Sequence, residues 1–262
     1  MAQVVALIQA RMSSTRLPGK VLKPLLGQPM IGRLLERVQR CRTIDRLAVI
    51  TSTEESDAPL AAYVQSLGVD CYRGSLQDVL DRYYQAAKKY EATHVVRITG
   101  DCPLLDPVLT DEVVRLLLEG PYDITASGAC DTYPDGLDVT ALTMKALTEG
   151  WEKAELPSER EHVTSYHFTR PQSYHCGVVH CPEKLGHIRL SVDEPEDFQL
   201  AERIFQALYP EKPQFGFADV WALLQQHSQW LQGNAHIPIN EGYQKSLRED
   251  AQYLKSKQER QE

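Results

Sequence analysis

Through the first half of the chain, short β-branched runs alternate with longer amphipathic stretches, and few folds accommodate that order. QVVALIQA (3–10) reads as a strand, and MIGRLLERVQRC (30–41) as a helix with Ile31, Leu34, Leu35 and Val38 on one face. RLAVITS (46–52) is a second strand, and APLAAYVQSLG (58–68) a helix closed by Gly68 as its C-cap. VDCYRG (69–74), the helix LQDVLDRYYQAAKKY (76–90), the strand HVVRITGD (94–101) and a helix near LTDEVVRLLLEG (109–120) continue the pattern. This β-α-β-α order predicts an α/β fold with a largely parallel sheet and helices on both faces. Ligands in such sheets bind at the carboxyl ends of strands, near a switch in strand order.

The second half is less regular. DITAS (123–127) reads as a short strand, MKALTEGWEKA (144–154) as a helix and QSYHCGVVHC (172–181) as a strand of mixed alternation. HIRLSVD (187–193) reads as a further strand, closed by the helix EPEDFQLAERIFQAL (194–208). ADVWALLQQHSQWL (218–231) is a last helix, and Phe215, Phe217, Trp221 and Trp230 read as packing residues near it rather than base-stacking platforms. No internal repeat or low-complexity linker interrupts the chain. One domain over 1–240 with an irregular insertion at about 140–190 is therefore preferred to two, followed by a charged tail over 241–262 that is helical, extended or frayed.

A formal net charge of -8 counts against a broad nucleic-acid face, which needs basic residues to displace counterions. No apolar run reaches bilayer length, and the opening MAQVVALIQARM lacks the layout of a signal peptide, so a cytoplasmic protein with no membrane partner is expected. Cys41, Cys71, Cys102, Cys130, Cys176 and Cys181 are scattered without a CxxC pair, which argues against structural disulfides.

Overall acidity does not forbid a focused anion site. IQARMSSTRLPGKVL (8–22) leaves the first strand carrying Arg11, Arg16 and Lys20 among small residues that include Ser13, Ser14 and Gly19. Small residues let backbone N–H groups approach an anion, two guanidinium groups fork onto phosphate oxygens, and the lysine adds a compact charge. Neither GxxxxGK[ST] nor GxGxxG is present, and a solvated basic loop is the weaker reading. Asp101, in TGDCP, and Asp193, in SVDEPEDF, are delivered from strand ends to the same rim. Two such carboxylates can share Mg²⁺, although each alone also reads as a turn former or helix cap.

These segments resemble the cytidylyltransferases that activate acidic sugars, relatives of the acylneuraminate and KDO enzymes, with the spore-coat polysaccharide biosynthesis protein F branch as the nearest likeness. IQARMSSTRLPGKVL, RGSLQDVLDRYYQAA, RITGDCPLLDP, YPDGLDV, PSEREHVT and SVDEPEDF follow one another in family order. The resemblance implies a nucleotide-diphospho-sugar transferase (GT-A-like) sandwich with a mostly parallel central sheet. It also implies a Mg²⁺-dependent transfer of CMP from CTP to a small anionic or polyol acceptor, a sugar acid first among them, in cell-surface polysaccharide or glycoconjugate biosynthesis. By this likeness Arg11, Arg16 and Lys20 bind and stabilise the triphosphate, and Asp101 and Asp193 hold Mg²⁺. Gln9, Ala10, Ser13, Gly74, Ser75 and Asp78 contact the nucleotide, and Asp135, Asp138, Arg160 and His162 the acceptor. Gln9 stands where acidic-sugar relatives often carry Pro. A homodimer is implied, with the 140–190 segment on the acceptor side or at the dimer contact.

Simpler readings stand beside these. YPDGLDV contains an Asx-type turn. Ser158 with Glu161 reads as a capping box opening a helix, which would rigidify the segment carrying Arg160 and His162. HCGVVHC gathers His175, Cys176, His180 and Cys181, but strand alternation splits them between two faces and the spacing matches no structural-zinc pattern. A GT-A glycosyltransferase and a non-catalytic nucleotide-binding subunit are the competing functional classes. The first is disfavoured by Asp101-Cys102-Pro103, which lacks the second Asp of an Asp-x-Asp motif.

Overall fold

β1 (Val4–Gln9) is the hub of the molecule because its apolar residues serve both faces of the sheet. Val4, Ala6 and Ile8 enter one core layer, and Val5 and Leu7 the other. The computed structural model describes residues 2–127 and 132–259, so Cys130 lies outside the described residues.

A small hairpin, β2 (Pro24–Leu25) and β3 (Gln28–Pro29), leads into α1 (Met30–Val38). Then come β4 (Arg46–Ser52), α2 (Ala58–Ser66), β5 (Asp70–Gly74), α3 (Val79–Lys89), β6 (His94–Thr99) and α4 (Pro107–Glu119). β7 (Ile124–Ala126), β8 (Thr140–Thr143), α5 (Met144–Lys153), α6 (Pro157–His162), α7 (Ser165–Phe168) and β9 (Cys176–Val178) follow. The chain closes with α8 (Pro195–Leu208), α9 (Phe217–Gln226) and α10 (Glu241–Glu259).

Seven strands form the main sheet in the order β5-β4-β1-β6-β8-β7-β9. β5, β4, β1 and β6 run parallel, β8 runs antiparallel to both β6 and β7, and β9 is parallel to β7. Residues of α1, α2, α4, α8 and α9 cover one face, and residues of α3 and α5 the other. Helix starts are set by side chains that accept otherwise orphaned N–H groups. Asp78 receives the N–H of Asp81 at 2.8 Å, Asp106 that of Leu109 at 2.9 Å, and Thr143 that of Ala146 at 3.1 Å.

The less regular half departs from the sequence reading in four places. TALT, unassigned by alternation, is β8, because Arg97 pairs with Thr140 across β6 and Ala126 pairs with Thr140 from the other side. HIRLSVD is not a strand: it makes one isolated bridge, between Asp135 and Arg189, and its backbone bonds to loops instead. Leu190 N–H reaches Asp135 O at 2.7 Å and Val192 N–H reaches Asp101 O at 2.8 Å. QSYHCGVVHC contributes only the three residues of β9. Finally, α6 starts at Pro157, two residues earlier than a cap at Ser158 requires. Glu159, not Glu161, reaches back to the N–H groups of Glu155 (3.1 Å) and Leu156 (3.2 Å). Ser158 is buried within the first turn, its N–H donating to Asp250 of α10 at 2.8 Å. The charged tail is thus a helix docked on α6.

Candidate active site

Four segments meet at the carboxyl ends of β1 and β6 around a cavity of about 880 Å³. The first is the loop after β1. Buried Asp57 pins it to the end of β4, accepting from Met12 N–H at 2.7 Å and from the N–H and hydroxyl of Ser52. Gly100 lets the second, the TGD turn, press against it: a Cβ there would stand 2.8 Å from the Ala10 Cβ and 3.0 Å from the Gln9 carbonyl. The third is the PDGLD turn, where Gly136 has φ +101° and a Cβ would lie 2.3 Å from Ser191 N. Only glycine satisfies both demands at that crossing. The fourth is the SVD segment before α8.

Lys20 ties these segments together. Although only 7% exposed, its ammonium donates to Asp193 Oδ1 at 2.8 Å, Val192 O at 2.7 Å and Asp101 Oδ2 at 3.2 Å. Burial alone would favour a neutral lysine, yet Asp101 and Asp193 raise its pKa above the ordinary value. Burial likewise opposes ionisation of Asp101, but Lys20 and Thr99 hold its carboxyl down to about 2. Arg16 adds contacts to Asp193 (3.0 Å), Glu194 (3.5 Å) and Glu241 (2.9 Å), and Arg11 stands 3.7 Å from Glu161. Asp193 is therefore an ion-pair hub rather than a helix cap. The cap position of α8 is Glu194, and Asp197 reaches back to the N–H groups of Asp193 (3.0 Å) and Glu194 (2.9 Å).

A second acidic cluster lies beside the first. Asp135 accepts from Ser191 Oγ at 2.6 Å and faces Arg189 at 3.3 Å. Burial, with the nearby Asp138 charge, pushes its carboxyl up to about 7. Burial also raises Asp138, against a bond from Gly136 N–H at 3.0 Å. Arg189, 5% exposed, braces the cluster through Asp193 (2.7 Å) and Asp197 (3.0 Å).

A strand-end cavity with a cationic loop and facing carboxylates is what a nucleotide-transfer site needs, and the comparison with known proteins is decisive. The model of the cytidylyltransferase family matches residues 5–227.

The chain belongs to the cytidylyltransferase family.

It is similar to the spore coat polysaccharide biosynthesis protein SpsF of Bacillus subtilis, at 30% identity over 236 residues that cover 86% of this chain and 95% of that protein. The 3-deoxy-manno-octulosonate cytidylyltransferase of Geobacter sulfurreducens is 33% identical over 191 residues, covering 70% and 74%. A solved cytidylyltransferase from Leptospira borgpetersenii serovar Hardjo-bovis superposes with a TM-score of 0.85 at 29% identity, covering 91% of this chain and 99% of that one. This cytidylyltransferase is a nucleotidyltransferase with the nucleotide-diphospho-sugar transferase-like fold that the motif resemblance implied.

Within the cytidylyltransferase site, Gln9, Ala10, Arg11, Ser13, Arg16, Lys20, Asp101, Asp135, Asp138, His162 and Asp193 all line the cavity. Gly74, Ser75, Asp78 and Arg160 do not. Arg160 grips both oxygens of Asp78, at 3.0 and 3.1 Å from Nε, and donates to Trp151 O at 2.7 Å. Ser75 O instead receives Arg82, a buried residue that does line the cavity. Arg82, Arg97, Arg189, and the 240–245 segment at the start of α10 belong to the wall but carried no motif signal in the sequence. Arg189 sat inside an apparent strand, where an arginine in a buried run was the available clue.

Asp101 and Asp193 converge on a single Lys20 nitrogen, so both oxygen donors address one small volume of the wall. That donor set fits Mg²⁺, which takes few protein carboxylates and completes its shell with water and phosphate. Among the described residues no three His, Cys, Asp or Glu side chains form a metal-ligating group, at HCGVVHC or elsewhere.

Proposed function

We propose that this cytidylyltransferase transfers CMP from CTP to a hydroxyl of a small sugar acid, with Mg²⁺, in the synthesis of a cell-surface polysaccharide or glycoconjugate. The observation that carries the reading is the placement of Lys20 between Asp101 and Asp193 on the cavity wall, with Arg11 and Arg16 beside it. The acceptor oxygen forms a bond to the α-phosphorus, the bond from that phosphorus to the β-phosphate bridging oxygen breaks, pyrophosphate leaves and the hydroxyl proton passes to water. Arg11, Arg16 and Lys20 stabilise the charge that builds on the departing phosphates, and the walls hold donor and acceptor in line. Mg²⁺ held by Asp101 and Asp193 would supply further charge neutralisation on phosphate oxygens. Arg16 and Lys20 then exchange carboxylate partners for phosphate.

A screen of the four NTPs against sugar acids and polyol phosphates, with Mg²⁺ or EDTA, tests the reading. Pyrophosphate release with CTP and a sugar acid, abolished by EDTA, is the expected result. Release of nucleoside diphosphate from a nucleotide sugar would indicate a glycosyltransferase, and CTP binding without turnover a non-catalytic subunit. The active form is taken to be a homodimer, which light scattering on the eluted protein measures directly.

A further inference from the structure

Every cation in the cavity wall has a described partner except one. Arg11, Arg16, Lys20 and Arg189 pair with carboxylates, Lys245 stands 3.8 Å from Glu249, and Arg82 donates to Ser75 O at 2.9 Å. Arg97 makes neither a hydrogen bond nor an ion pair with any described residue, and its Nε is shut off from solvent without a partner. Arg97 is half-buried and close enough to Asp138 for their charges to interact, yet no carboxylate bonds it directly, so its guanidinium is free to take the anion of a ligand.

The position of Arg97 says which ligand. On β6, Val96 and Ile98 enter the core layer beneath α1 and α4, whereas Val95 enters the layer beneath α3, so Arg97 projects on the α3 side. It stands opposite Leu7 of β1 and Thr140 of β8. Thr99 lies on the same side, roughly 7 Å farther along the strand toward the turn that carries Asp101. Burial and the charge of Arg97 together push His162 down to about 4, so this neighbour is a neutral imidazole, bonded to Ser246 Oγ at 3.0 Å. Thr164, Ser165 and Thr169 line the same cavity and offer hydroxyls. Asp135 and Asp138 also face it, which disfavours a dianion there. A single guanidinium fork matches the two oxygens of a monoanionic carboxylate.

We propose that Arg97 binds the carboxylate of the acceptor and thereby selects sugar acids over neutral sugars and polyol phosphates. This rests on the CMP-transfer reading of the cavity, and it moves the anion-reading role away from Arg160, which is committed to Asp78. Arg97 touches substrate away from the reacting atoms, so its loss is felt in acceptor binding.

The test compares the sugar acid turned over by the wild-type enzyme, beginning with 3-deoxy-manno-octulosonate, with the same sugar carrying a C1 amide. Pyrophosphate release is measured for wild type, Arg97→Gln and Arg97→Lys, and CTP affinity by calorimetry. The expected result is a wild-type preference for the acid of at least 30-fold in kcat/KM. Arg97→Gln should raise the acceptor KM by a similar factor, erase the acid–amide difference and leave CTP affinity within twofold, and Arg97→Lys should restore part of the preference. Equal use of acid and amide by the wild type overturns the inference whether or not the variants fold. So does a parallel loss of CTP and acceptor binding in Arg97→Gln. If wild type releases no pyrophosphate from any NTP and acid, the transfer reading itself falls and takes this inference with it.

Discussion

Lys20 is buried between two acids, and Lys20 and Asp101 each favour the charged form of the other. Lys20→Ala removes the cation that would meet the departing phosphates. It should lower kcat for pyrophosphate release roughly 10²-fold to 10³-fold, with circular dichroism unchanged. Asp135 shows the opposite electrostatics. Its folded pKa of about 7 lies above its ordinary 3.8, so the fold takes up a proton there that the unfolded chain gives up more readily. Stability attached to this group is complete below pH 4 and is lost as pH rises toward 7. Asp135→Asn keeps an acceptor for Ser191. In metal-free buffer it should gain Tm relative to wild type progressively between pH 4 and pH 7, with no further gain above; a constant difference across pH would contradict the assignment.

At the scale of elements, the loop after β1 is held from outside itself. Asp57 precedes α2, yet its two oxygens reach Met12 and Ser52, joining the cationic loop to the end of β4. Burial opposes its charge, and the bonds from Met12 and Ser52 win, keeping the carboxyl below its usual range. Asp57→Ala leaves buried donors unanswered at both ends. A loss of about 1–3 kcal/mol in urea denaturation is expected, together with a raised KM for CTP and a smaller change in acceptor KM.

For the whole molecule, the matched family span ends at 227, yet residues 240–245 line the cavity and α10 packs on α6. Glu241 meets Arg16 at 2.9 Å, Asp250 receives Ser158 N–H at 2.8 Å, and Ser246 bonds His162. The carboxyl-terminal helix is therefore a wall of the site that lies beyond the matched family span. A chain ending at Ile239 should stay folded, turn over with a higher acceptor KM, and expose His162. Its pKa, followed by NMR, should then climb from about 4 toward the ordinary value, whereas an unchanged titration would show that α10 does not shield it.

By itself the sequence determined the parallel half of the sheet, because strand and helix periods are local and the apolar residues of β1, β4 and β6 repeat them without interruption. It also determined which charges gather at the strand ends, since Arg11, Arg16, Lys20, Asp101 and Asp193 sit in loops that topology must bring to one rim. Only the tertiary structure decided the rest. TALT became β8, and HIRLSVD failed to become a strand, because pairing depends on which partner is free rather than on local alternation. Ser75, Asp78 and Arg160 turned out to brace one another and Arg82, Gly74 to accept from Thr53 N–H, and Arg97 to be left without a hydrogen bond or ion pair to a described residue. Whether a buried charge is answered depends on residues far apart in the chain, and a linear pattern carries no record of that distance.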